Sequence, residues 1–209
     1  MTGVKTFELE TPHGRARAHL HSADEARAAL VLGHGAGGGV TAPDLVAVTG
    51  VARAEGIGVV LVEQPYRVAG RRSPAPARQL DVAWEAVVDD LRAGVLEGLP
   101  LLVGGRSAGA RVACRTAQKT GAVAVLCLAF PLQPPRRSGG AVPPSRLFEL
   151  DAVTVPTLVV QGASDPFGMP PAATDRTVVQ VPGNHSLRTD VPAVVAAVQA
   201  WLPSVLVPA

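Results

Sequence analysis

The amino-acid sequence predicts an α/β fold: a mostly parallel sheet with helices on both faces, preceded by an N-terminal antiparallel hairpin. Three observations lead there. Short apolar runs without alternation recur along the chain, as strands buried on both faces require. Amphipathic helical stretches fall between them, which is the alternation of a doubly wound sheet. The length of 209 residues, with 47% hydrophobic and 17% charged, suits one well-packed domain over 1–209.

Taken in order, residues 4–9 and 15–21 read as two strands joined by the turn Thr11-Pro12-His13-Gly14. The second alternates Ala16, Ala18 and Leu20 with Arg15, Arg17, His19 and His21, as a half-exposed antiparallel strand should. The apolar runs follow at 29–32, 58–62, 100–103, 123–128, 157–160 and 177–181. A helix is expected to open at Thr41-Ala42-Pro43-Asp44, a capping-box variant, and to end before Gly56. A second, over 80–96, aligns Leu80, Trp84, Val87, Val88, Leu91 and Val95 on one stripe, with Asp89, Asp90 and Arg92 outside it. Helices are also expected over 107–119 and over 190–202, the last with Asp190 as N-cap. Residues 131–150, rich in Pro, Gly, Ser and Arg, read as a loop with a short helix near Arg146–Leu150. The interval 131–156 is too short for a helical cap, so the carboxyl edge of the sheet is expected to lie open.

Composition excludes several classes. No window approaches 18 consecutive apolar residues, and MTGVKTFELETPHG lacks the apolar segment of a signal peptide. The net charge of +2 gives no general case for nucleic acid. Cys114 and Cys127 lie in apolar elements and read as buried thiols suited to a reducing cytoplasm, without the spacing of a metal site. The expectation is a cytoplasmic protein with no metal, no organic cofactor, no membrane and no nucleic-acid partner; its oligomeric state is open.

The chemistry centres on Gly105-Arg106-Ser107-Ala108-Gly109, a G-x-S-x-G between an apolar strand run and a helical pattern. A serine on so tight a strand-to-helix turn projects Oγ above the sheet, and small neighbours let strand and helix approach. The plain alternative is a serine that only caps the helix. A serine nucleophile needs a base. His185, in Val181-Pro182-Gly183-Asn184-His185-Ser186-Leu187, follows the last strand run and precedes the final helix. The carboxylate is Asp165, which leaves a buried strand through a Gly turn with Pro166 restraining its backbone. The competing acid position, after Phe130, holds Pro131-Leu132-Gln133 and no carboxylate before Glu149.

Gly33-His34-Gly35-Ala36-Gly37-Gly38-Gly39 follows the first buried strand. One backbone N–H of this loop is expected to join that of Ala108 around a developing oxyanion, with Ala36 nominated and Gly35 or Gly37 as neighbouring candidates. The same residues also spell G-x-G-x-x-G at Gly33, Gly35 and Gly38, with Glu63 downstream, which is a dinucleotide-binding pattern. Against it, the helix is expected to start near Thr41, after the third glycine, and a hairpin precedes the strand.

Together HGAGGG, GGRSAGAR, QGASDPFG and GNHSL resemble the dienelactone-hydrolase-like branch of the α/β-hydrolases. More narrowly, they resemble the group of the testis-expressed protein thirty and the nonspecific-lethal complex subunit. The resemblance runs from about residue 15 to residue 203. It implies an eight-stranded sheet without a cap domain and a triad on Ser107, Asp165 and His185. It does not imply a substrate, and some relatives are non-catalytic scaffolds. The interval from Asp165 to His185 departs from the family by being short, with room for a turn or short helix and one strand.

The expected activity is hydrolysis of a small ester or thioester through an acyl-enzyme, with a catalytically silent binding module as the alternative. Arg106 and Arg111 near the nucleophile, with Arg67, Arg71, Arg72, Arg136 and Arg137 in loops at the sheet's carboxyl edge, suit an anionic acyl substrate. The plainer reading is solvated loop arginines in a chain with 17 Arg and 2 Lys.

Overall fold

The computed structural model describes residues 3–134 and 143–206. Arg136 and Arg137 lie outside the described residues. The chain runs β1 (Lys5–Thr11), β2 (Gly14–His21), β3 (Ala28–Gly33), α1 (Pro43–Ala54), β4 (Ile57–Glu63), α2 (Pro65–Val68), α3 (Ala77–Ala93), β5 (Leu101–Arg106), α4 (Ala108–Thr120), β6 (Ala124–Leu128), α5 (Leu147–Asp151), β7 (Thr157–Gly162), β8 (Arg176–Val181) and α6 (Val191–Val205). The eight strands form one sheet in the order β1-β2-β4-β3-β5-β6-β7-β8. The hairpin β1–β2 pairs antiparallel and joins β4 antiparallel; every later pairing is parallel.

The sheet divides the apolar interior in two. On one face α3 and α4 bury Trp84, Val88, Leu91 and Val112 against Val31, Val103 and Val125. On the other, α1 and α6 bury Leu45, Val48, Val194 and Leu202 against Leu32, Leu102 and Leu158. Side chains alternate faces along a strand, so β3 to β7 need apolar residues at every position. That is why their sequences show no alternation. β8 differs: it pairs only with β7, and Thr177 through Gln180 are partly exposed, an edge strand rather than the fully buried one expected from 177–181. On β2 the alternation is realised, with Ala16, Ala18 and Leu20 buried.

Two local expectations are corrected. Helix α1 starts at Pro43 with Ala42 at the N-cap and no side-chain cap, so Thr41 does not close a capping box. Proline's fixed φ starts the helix instead, and Asp44 is buried and otherwise engaged. Helix α3 spans Ala77–Ala93 and stops at Gly94, leaving Val95 47% exposed rather than on the apolar stripe. The one-turn helix α2 is set by Pro65 at its first turn, a signal the apolar pattern does not carry. Asp190 does cap α6, accepting from the Ala193 N–H at 2.9 Å. Cys114 on α4 and Cys127 on β6 are free, buried thiols 3.4 Å apart. Among the described residues no helix is long and apolar enough to cross a membrane.

Candidate active site

The site forms where β3, β5, β7 and β8 end and their loops rise. Ser107 sits between β5 and α4 with φ 53° and ψ −107°, a left-handed conformation that L side chains rarely adopt. The turn tolerates this strain because its surroundings hold it. The Ser107 N–H donates to the Leu128 carbonyl at 2.9 Å. The packing is possible because Gly33, Gly105 and Gly109 meet backbone to backbone. A Cβ on Gly109 would collide with the Gly33 carbonyl, and one on Gly105 would collide with both neighbours.

The three side chains that the motifs single out meet. His185 Nε2 lies 2.9 Å from Ser107 Oγ, and His185 Nδ1 lies 2.8 Å from Asp165 Oδ2. An ionised carboxylate only accepts, so Nδ1 carries the proton and Nε2 accepts from the serine hydroxyl. This tautomer lets the imidazole take a proton from Oγ. Asp165 is fixed by more than its partner. Its Oδ1 accepts the Phe167 N–H at 2.9 Å, and its Oδ2 also accepts from Gln161 Nε2 at 2.8 Å. Phe167 packs against the imidazole with ring centroids 4.5 Å apart and planes tilted by 55°. Between Asp165 and His185 the chain forms β8 and an isolated bridge of Ala173 to Arg176, with no helix.

Ala36, Ser107 and Ala108 line one cavity of about 250 Å³. Ala108 opens α4, so its N–H lies in the first helical turn, where no intrahelical acceptor exists. The glycine loop is shaped from below. The Tyr66 hydroxyl donates to the Ala36 carbonyl at 2.9 Å, and the Gly38 N–H closes a turn onto the Gly35 carbonyl at 3.1 Å. Buried His34 accepts the Gln64 N–H on Nε2 at 3.1 Å and donates from Nδ1 to the Gly35 carbonyl at 2.8 Å. Burial lowers its pKa from the ordinary value, which keeps the ring neutral. The loop is followed by α1 only from Pro43, so Gly38 does not open a helix, as a dinucleotide fingerprint would require.

The candidate arginines Arg106 and Arg111 are each engaged by other groups of the protein. Arg106 does not line the cavity that holds Ser107. Its Nε faces Asp44 Oδ2 at 3.0 Å, a charge contact rather than an aligned hydrogen bond, and its Nη2 donates to the His185 carbonyl at 2.9 Å. Asp44 is fully buried, and burial pushes its carboxyl pKa up while Arg106 pulls it back. Arg111 lines the cavity but makes a bidentate pair with Glu149 at 2.8 and 2.5 Å. Gly35 lies against Arg106, Gly37 is exposed, and Arg71 and Arg72 line a neighbouring groove. Four residues around the site escaped the motifs: Asp44, Tyr66, Gln161 and Arg146. Gln161 alone left a trace, as a polar residue inside the apolar run Thr157–Gly162.

Residues 26–190 match the model of the alpha/beta hydrolase domain family, so the chain belongs to that family. Solved structures share the fold at low sequence identity. A lidless α/β serine hydrolase of Xanthomonas campestris superposes with TM-score 0.78 at 19% identity, over 100% of this chain and 97% of the other. Est1E of Butyrivibrio proteoclasticus gives 0.77 at 15%, over 96% and 98%. A dienelactone hydrolase of Anabaena variabilis gives 0.76 at 15%, over 97% of each chain. No curated protein matches the sequence. The fold class expected from the sequence is the one observed.

Proposed function

We propose that this hydrolase cleaves a small ester or thioester through an acyl-enzyme formed on Ser107. The observation that supports it most is the unbroken succession of Ser107 Oγ, the His185 imidazole and the Asp165 carboxylate at 2.9 and 2.8 Å, with the serine on a strained turn. In the proposed reaction His185 Nε2 takes the hydroxyl proton as Oγ attacks the carbonyl carbon. Asp165 holds the tautomer and stabilises the imidazolium. The N–H groups of Ala36 and Ala108 donate hydrogen bonds to the developing oxyanion, and the imidazolium gives its proton to the departing alcohol or thiol. Water, deprotonated by His185, then attacks the acyl carbon; the bond to Ser107 Oγ breaks, the acid leaves, and the imidazolium returns its proton to Oγ. No step calls for a metal or organic cofactor. The absence of a cap and a cavity of only about 250 Å³, below the usual range of drug-sized pockets, favour short, accessible acyl groups. The two free thiols favour a cytoplasmic setting, and the shared motifs favour the testis-expressed protein thirty group within the family.

Titration with a fluorophosphonate tests the reading. One equivalent should label the protein on Ser107, and Ser107→Ala should take up none. An unlabelled wild-type protein would identify the fold as a silent binding module instead.

A further inference from the structure

We propose that Arg146 recognises a carboxylate on the substrate, so that the preferred esters of this hydrolase carry a negative charge. The inference rests on the serine-hydrolase reading above and names the substrate class. Three guanidiniums, those of Arg111, Arg115 and Arg146, line the same cavity as Ser107. Two of them are already neutralised. Arg111 makes its bidentate pair with Glu149, and Arg115 makes another with Asp81 at 2.8 and 2.6 Å while touching Glu149 at 3.2 Å.

Arg146 is different. Among the described residues no carboxylate lies within ion-pair distance of it, and the positions outside them contain no Asp or Glu side chain. Among the described residues its side chain donates one hydrogen bond, from Nη1 to the Pro131 carbonyl at 2.9 Å, which anchors the head and leaves further N–H donors for a ligand. Two carboxylates against three guanidiniums leave the wall of the cavity with one positive charge in excess. Burial and the neighbouring Arg111 and Arg115 lower the Arg146 pKa and outweigh Glu149, which raises it, so the site holds a cation that an incoming anion would relieve. Guanidinium and carboxylate match as fork to fork, which a neutral ester cannot exploit. The cavity has only about 250 Å³, which puts any ligand of Ser107 close to this wall.

Initial rates by proton release would compare two matched pairs. Monomethyl adipate against methyl hexanoate places the charge in the acyl part, and 4-acetoxybenzoate against phenyl acetate places it in the leaving group. In at least one pair the anionic ester should show a kcat/KM about ten- to hundred-fold higher at low salt, the range of a charged hydrogen bond. Arg146→Met should bring that ratio near one, and Arg146→Lys should retain part of it. Because the ratio is taken within one protein, loss of folded enzyme does not mimic the effect. Fluorophosphonate labelling with no anion preference in either pair, or a preference that survives in Arg146→Met, overturns the proposal and leaves the hydrolase reading standing. If the wild-type protein is not labelled, the hydrolase reading falls. The anion site is then judged alone by adipate dianion, which should raise the Tm of wild-type protein and not that of Arg146→Met. No shift overturns it.

Discussion

The guanidinium of Arg106 donates through Nη2 to the backbone carbonyl of His185 at 2.9 Å, across 79 positions of sequence. The same side chain faces the buried carboxylate of Asp44 at 3.0 Å. One residue, adjacent to the candidate nucleophile, thus ties the start of α1 to the loop that carries the imidazole. The first x of G-x-S-x-G serves here as a strut between two elements.

Removing that strut should cost stability and turnover together. Arg106→Met leaves the Asp44 carboxylate buried without its partner, so unfolding free energy should fall by about 3–5 kcal/mol at pH 7. Adding Asp44→Leu should recover much of that loss. Activity should not recover with it, since the His185 carbonyl still lacks its donor. Denaturant melts and kcat on a common ester check both, and a double variant with wild-type kcat contradicts the tether.

Gln161 should matter to Asp165 beyond packing. Its Nε2 lies within 3.0 Å of the Phe130 carbonyl, Asp165 Oδ2 and the Gly168 carbonyl, so the amide is a hub beneath the carboxylate. Gln161→Leu keeps the volume and removes the donor. Buried acceptors left without a partner should lower stability by about 1–3 kcal/mol. A less firmly held Asp165 should lower kcat by about tenfold with KM little changed, since orientation of the base acts on the chemical step. An equal fall in kcat and rise in KM contradicts this.

What the sequence carried was turn chemistry. Ser107, Asp165 and His185 each stand in a loop just after an apolar run and beside glycine or proline, so the sheet's topology delivers them to one edge. Arg106, Asp44 and Tyr66 act through partners far along the chain, as the Tyr66 hydroxyl does on the Ala36 carbonyl 30 positions away. No local pattern encodes such a pairing. The arginines show the same limit: a charge count near the serine says nothing of which guanidiniums find carboxylates, and Arg111 does while Arg146 does not. Helix α3 stops at Gly94 against the apolar periodicity, and Pro43 opens α1 where the sequence suggests a side-chain cap.

Gly109→Ala tests the elbow. Its added methyl meets the Gly33 backbone, and no flexible side chain is there to yield. β3 and α4 must move apart, carrying the glycine loop away from Ser107, so ester turnover should fall by two orders of magnitude or more, about the loss of one oxyanion donor. Gly39→Ala, where nothing lies within 4 Å, should change stability by no more than about 0.5 kcal/mol. Equal effects of the two substitutions contradict the packing argument.

His34 gives a pH test with a definite sign. The ring is neutral, with Nε2 accepting from the Gln64 N–H, so a proton there removes that hydrogen bond and buries a charge beneath the glycine loop. Burial lowers its folded pKa below the ordinary 6.5 that the unfolded chain retains. Between those two values the unfolded state binds more protons, so stability rises with pH. The contribution is therefore complete above about pH 6.5 and is lost as pH falls toward the folded value. His34→Gln cannot take up that proton. The Tm advantage of wild-type protein over this variant should be largest at pH 8 and shrink steadily toward pH 5, whatever the other histidines do in both proteins. A constant or widening gap on acidification means that the ring is charged in the folded state, and the tautomer assigned here fails with it.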